Sequence, residues 1–122
     1  METMKKINIL GTEYAIEKKK YDEEPVFERR SIDGYCDQML NKIVHCDMTT
    51  YPGFENQSQE YCEACEKETL RHEIIHAFLG ESGLMESSAQ FRGGWSTNEE
   101  MVDWIAIQSP KIYKVFQEVG CI

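Results

Sequence analysis

A chain of 122 residues has room for one domain built on one core, so residues 1–122 are expected to form a single unit. With 41% hydrophobic residues it is an ordinary globular composition, which excludes an intrinsically disordered chain. A formal net charge of −9 excludes nucleic acid as the main partner, because a phosphate backbone is bound by a cationic face.

No run approaches the roughly 18 apolar residues of a membrane helix, so no membrane partner is expected. At the N-terminus, Lys5 and Lys6 are followed only by Ile7 to Leu10 as an apolar patch. That is too short for the hydrophobic region of a signal peptide, and a cytoplasmic protein is expected. The five cysteines (Cys36, Cys46, Cys62, Cys65, Cys121) are then expected as free thiols. Cys62-x-x-Cys65 is a lone pair at ligand spacing. A four-cysteine zinc site with Cys36 and Cys46 competes with the plainer reading of small, half-buried residues.

In chain order, Lys6–Leu10 and Glu13–Glu17 alternate as two short strands around a turn at Gly11-Thr12. Lys18 to Glu24 reads as a solvated connection, with Val26-Phe27 anchoring it to the core. Asp33-Gly34 is a turn signal. Tyr35-Cys36-Asp37 and Lys42–Cys46 make a second hairpin, giving a small, mostly antiparallel sheet. Asn56 or Ser58 caps a long helix over about 57–79, with Gly80 as its stop. Residues 80–97 carry no clear period. Ser96 or Thr97 caps a helix over about 98–107. Ser109-Pro110 starts a third helix, with Ile112, Val115, Phe116 and Val119 as its buried stripe. Strands first and helices after make the fold class α+β.

The long helix carries His72-Glu73-x-x-His76, two of the three histidines in the protein. Four-residue spacing puts both imidazoles on one helical face, where they can converge on one metal ion. Glu73, turned about 100° from His72, falls where a carboxylate can take a proton from a metal-activated water without ligating. A catalytic zinc needs a third protein ligand and one open position. Glu81 lies too close in sequence to His76 to swing back. The better candidate is Glu99, because Asp103 at i+4 shares its face and can accept the other ring N–H of a ligating histidine. Glu100 competes with Glu99. Ser96-x-x-Glu99 and Thr97-x-x-Glu100 both fit a capping box.

His72-Glu73-x-x-His76 followed by Glu99-x-x-x-Asp103 resembles the gluzincin metallopeptidases. More closely, Leu70–Phe78 with Glu99–Ala106, Gly34–Asp37 and Pro110–Ile112 is similar to small zincin-like proteins of phages, prophages and conjugative elements in Firmicutes. The resemblance spans most of residues 34–116. It implies a Zn2+-dependent minigluzincin fold akin to ImmA/IrrE and SprT-like domains. It also implies zinc held by His72, His76 and Glu99, Glu73 as general base, Asp103 behind a ligand, and a protein or peptide substrate. In such folds the sheet lies beside the motif helix and an edge strand lines the substrate cleft, a role assigned here to Lys42–Cys46. Only 16 residues follow Ala106, too few for the second domain that supplies an oxyanion donor in larger gluzincins, so His45 and Tyr113 are the candidates. The alternative function is a zincin-fold binding module that acts on a host regulator without cutting it.

Overall fold

The computed structural model describes residues 4–84 and 97–122. Strand β1 (Met4–Ile9) pairs antiparallel with β2 (Thr12–Lys19), and Ile9 opposite Thr12 closes the hairpin. The two loop residues, Leu10 and Gly11, both have positive φ (51° and 95°), as the turn that matches strand twist requires. The turn therefore sits one residue earlier than Gly11-Thr12. Strand β2 also runs on through Lys18 and Lys19, part of the stretch read as a solvated connection.

Helix α1 (Pro25–Arg30) opens on a proline, which fits the first helical position, and closes at Ser31 in the left-handed conformation. Its Phe27 is fully buried, as expected of the anchor in this stretch. Strands β3 (Gly34–Asp37) and β4 (Lys42–Cys46) follow as a second antiparallel hairpin. The sheet order is β1-β2-β4-β3, with β2 and β4 running parallel between the two hairpins. Strand β4 is thus an interior strand, flanked on both sides, and the edge beside the site is β3. The edge strand expected at Lys42–Cys46 is therefore Gly34–Asp37 instead.

Helix α2 (Gln59–Glu81) starts at Ser58, whose Oγ accepts the Tyr61 N–H at 3.0 Å. It packs one face on the sheet. Ile9, Tyr14, Ile16 and Ile43 form a buried cluster with Ala77 of α2, to which Leu70 and Ile74 add. Strand alternation points Val44 the other way. It joins Phe27, Cys46, Met48 and Cys62, bringing α1 and the first turn of α2 into a second cluster. The buried positions of α2 include two glutamates, Glu66 and Glu73. Glu66 is matched by Lys18 Nζ at 2.5 Å and by the Met48 N–H at 2.9 Å, which explains the long β2.

The helix passes through Gly80 rather than stopping there. Gln38, in the β3–β4 turn, lies against this glycine and donates Nε2–H to the His76 carbonyl at 2.9 Å. A Cβ at Gly80 would lie 1.7 Å from Gln38 Oε1, so any larger residue must displace that side chain. Alanine in place of a helical glycine ordinarily stabilises by about 1 kcal/mol. Here Gly80→Ala is expected to gain almost nothing, since the displaced Gln38 loses a hydrogen bond of similar worth. In a Gln38→Ala background the gain should return. Urea unfolding of the four proteins measures it, and a full gain in the wild-type background would sink the close-approach account.

Helix α3 (Glu99–Glu118) is a single helix where two were expected, with Pro110 inside it. The cap position is Asn98, which accepts the Met101 N–H at 3.0 Å, one residue later than the expected Thr97; Ser96 lies outside the described residues. Val102 and Ala106 are its buried contacts. Of the stripe expected to be buried, Ile112 is half-buried, while Val115, Phe116 and Val119 are 53%, 43% and 70% exposed. Apolar periodicity marks a face, but with the helix starting at Glu99 the core contact is made in its first half. The α+β class holds. Among the described residues no helix is long and apolar enough to cross a membrane.

Candidate metal centre

His72 and His76 stack one turn apart on α2, and their Nε2 atoms face each other at 3.2 Å. Helix α3 lies antiparallel across them: its first residue, Glu99, reaches His76, and Asp103, one turn on, reaches His72. Glu99 Oε1 is 2.7 Å from His76 Nε2, and Oε2 is 3.6 Å from His72 Nε2. A tetrahedral ion with ligand bonds near 2.1 Å sets its ligand atoms about 3.4 Å apart. The three side chains already approximate that spacing. Among the described residues, His72, His76 and Glu99 are the one group that could hold a metal ion, their ligand atoms all lying within 4.8 Å of one another.

Asp103 Oδ1 lies 2.7 Å from His72 Nδ1. With the Nδ1–H donated to this carboxylate, the His72 Nε2 lone pair is left pointing into the triad, the tautomer a metal ligand needs. Burial pushes the His76 imidazole below its ordinary value, against the opposing pull of Glu99, which favours the neutral, ligating form. Glu100, the competitor of Glu99, is exposed and takes no part in the group. Glu81 instead accepts the Tyr14 hydroxyl at 2.9 Å.

Glu73 is turned from this face toward the sheet and is only 7% exposed. Burial raises its carboxyl to about 7, with the His72 imidazole opposing and the Glu99 and Asp33 carboxylates adding to the rise. A carboxyl held there can both accept and return a proton at neutral pH. Behind it stands Gly34, where a Cβ would lie 2.7 Å from Thr69 Cγ2 and 3.6 Å from Glu73 Cγ. The glycine read as a turn signal is instead the first residue of β3, kept bare because α2 crosses so closely.

These groups line one cleft of about 850 Å³ between α2 and β3. The Cys46 N–H bonds the Asp33 carbonyl at 2.8 Å, which fixes the parity of the β3–β4 ladder. Tyr35 and Asp37 therefore bond to β4, and Gly34 and Cys36 turn their N–H and C=O groups outward, along the cleft wall. The charged lining is mostly acidic (Asp33, Glu68, Glu73, Glu99, Asp103), and Arg30 is the one arginine or lysine among it. Arg30 also pulls the Glu73 carboxyl downward, so its charge is felt at the site. Nothing local in the sequence marks Arg30, which ends α1 and lines the cleft only because α1 leads directly into β3.

The two expected oxyanion donors are elsewhere. His45 is buried opposite Gly34 in the sheet, its Nδ1 has no hydrogen-bond partner among the described residues, and burial pushes its imidazole down. Tyr113 sits on α3 ten residues past Asp103, about 15 Å along the axis. Neither lines the cleft. The cysteines are all free. Cys46 and Cys62 belong to the second core cluster, and burial pushes the Cys36 and Cys46 thiols up to about 12. Cys46 and Cys62 are packing residues, and among the described residues Cys36, Cys46, Cys62 and Cys65 are not brought together as a metal-holding group.

No family model, curated protein or solved structure matches the chain, so its chemistry is read from these residues and their geometry.

Proposed function

We propose that the chain is a zinc-dependent metallopeptidase of the gluzincin type, with His72, His76 and Glu99 holding the ion and Glu73 as its base. The observation that carries the reading is the convergence of the three ligand atoms beside a buried carboxyl held near neutrality. Two imidazoles and a carboxylate are a zinc donor set that leaves a fourth position open. Zinc bound there would activate a water at neutral pH and polarise a peptide carbonyl.

The chain's own residues supply the rest. Glu73 takes the proton from the attacking water and returns it to the leaving amine. Asp103 holds His72 in its ligating tautomer. The outward N–H and C=O groups of Gly34 and Cys36 receive an extended peptide as an added strand, which places its backbone across the mouth of the metal triad. Arg30 supplies positive charge to the developing oxyanion, in place of His45 or Tyr113.

Purified protein should carry close to one equivalent of zinc by inductively coupled plasma analysis, and a fluorogenic peptide library should be cleaved in a chelator-sensitive way. Metal-free protein that takes up no zinc would end the proposal. Stoichiometric zinc without cleavage of any peptide would favour the binding-module reading.

A further inference from the structure

Pro110 inside α3 has no N–H, so the carbonyl four residues earlier, that of Ala106, loses its helical partner. Ala106 is 1% exposed, so water does not easily take the place of that donor. An unmet buried carbonyl is costly, and the helix would be expected to break here, as Ser109-Pro110 implies. It does not break, because Arg71 of α2 donates Nε–H to the Ala106 carbonyl at 2.6 Å. The short, charge-assisted bond fills the gap from the neighbouring helix.

Position gives this bond its meaning. Arg71 immediately precedes His72, and Ala106 follows Asp103 by one turn. Glu99, Asp103, Ala106 and Pro110 fall at i, i+4, i+7 and i+11, a single stripe on α3 facing α2. Three contacts therefore run in antiparallel order across the helix pair: His76 with Glu99, His72 with Asp103, Arg71 with Ala106. The first two are at the metal triad and the third is outside it. Elsewhere in the interior of a regular helix each carbonyl already accepts an N–H four residues on, so the proline-freed carbonyl is the one that lacks its helical bond and gains most from a donor on α2. A slip of α3 by one residue would offer Arg71 a carbonyl already bonded.

We propose that Arg71 and Pro110 form a register lock: the proline frees one carbonyl, the arginine reads it, and their pairing sets where along α2 the Glu99 and Asp103 carboxylates fall. Arg71 is thus a positioning residue, acting on the ion through the placement of α3. The affinity part of this inference rests on the metal reading above; the coupling between Arg71 and Pro110 does not.

The test is a cycle of Arg71→Ala, Pro110→Ala and the double variant, with Arg71→Lys as a milder change that retains a cationic donor. Pro110→Ala restores the N–H that Ala106 lacks, so it should make Arg71 dispensable. Cobalt is the metal probe, because its visible spectrum reports both occupancy and coordination geometry. Arg71→Ala is expected to weaken cobalt binding about 10-fold or more, comparable to losing a group that orients a ligand. It should also lower the visible absorption of the bound ion. In the Pro110→Ala background the same substitution should cost under about 3-fold and leave the spectrum unchanged. Arg71→Lys should fall between.

Equal losses in the two backgrounds would overturn the lock, showing that Arg71 acts through some other contact. Urea unfolding of metal-free protein runs the cycle without the ion. Coupling there, with no cobalt bound by wild type, would keep the helix fastening, refute the metal reading and remove the positioning role. Absence of coupling there, with cobalt bound normally, would refute the lock alone.

Discussion

Glu99→Ala is expected to lower zinc affinity further than any other single change on α3. It removes one of three ligand atoms and leaves two imidazoles on one helix, with nothing drawing α3 to the ion. Asp103→Ala removes only the acceptor that orients His72, so its loss should be about 10–100-fold. Glu100→Ala should leave zinc affinity unchanged, because its carboxylate is exposed and outside the triad. Competitive chelator titration of the three variants checks the order. Zinc lost with Glu100→Ala but retained with Glu99→Ala would place the helix register one residue off and withdraw the role of Asp103 with it.

Glu73→Gln should retain zinc and reduce peptide hydrolysis by about 10²–10⁴-fold, the usual worth of a positioned proton acceptor. The amide keeps the shape of the side chain and removes its proton chemistry. The same variant has a second signature in metal-free protein. The folded-state pKa of Glu73 is raised from 4.5 to about 7, so folding disfavours its ionised form. Wild-type stability should therefore fall as pH rises through that window, by up to about 3 kcal/mol, and Glu73→Gln should not follow it. Thermal unfolding from pH 4 to pH 8 compares the two. Parallel curves would mean that the carboxyl is not desolvated as its burial implies.

The parts of this fold visible in the sequence are those whose signal is local. The i, i+4 histidines fix their own geometry once a helix is granted, and the i, i+4 pair Glu99 and Asp103 likewise share a face. Their approach to His76 and His72 required the further guess that α3 packs antiparallel on α2, for which spacing gives no direct sign. Signals with two physical causes were misread. Gly34 looked like a turn and serves a helix crossing. Lys18 looked solvated and pairs with buried Glu66. Pro110 looked like a helix start, because its missing N–H is harmless there, and nothing local announces that Arg71, thirty-five residues before Ala106, meets the freed carbonyl. The order of the strands was also hidden: the parallel seam between β2 and β4 leaves no mark on either hairpin.

The residues of the triad lie on two helices, so an ion bound there would be tied to the chain's stability. An ion held by His72, His76 and Glu99 pins α3 to α2, closing a loop of chain much as a disulfide would. Ion binding and the docking of α3 would then favour each other by one shared coupling energy, added to the packing of Val102 and Ala106. At a free zinc level 1,000 times the dissociation constant, the folded state would gain about 4 kcal/mol. A chain deprived of zinc would lose that increment together with its chemistry, so metal supply would set how long the protein survives proteolysis as well as whether it acts.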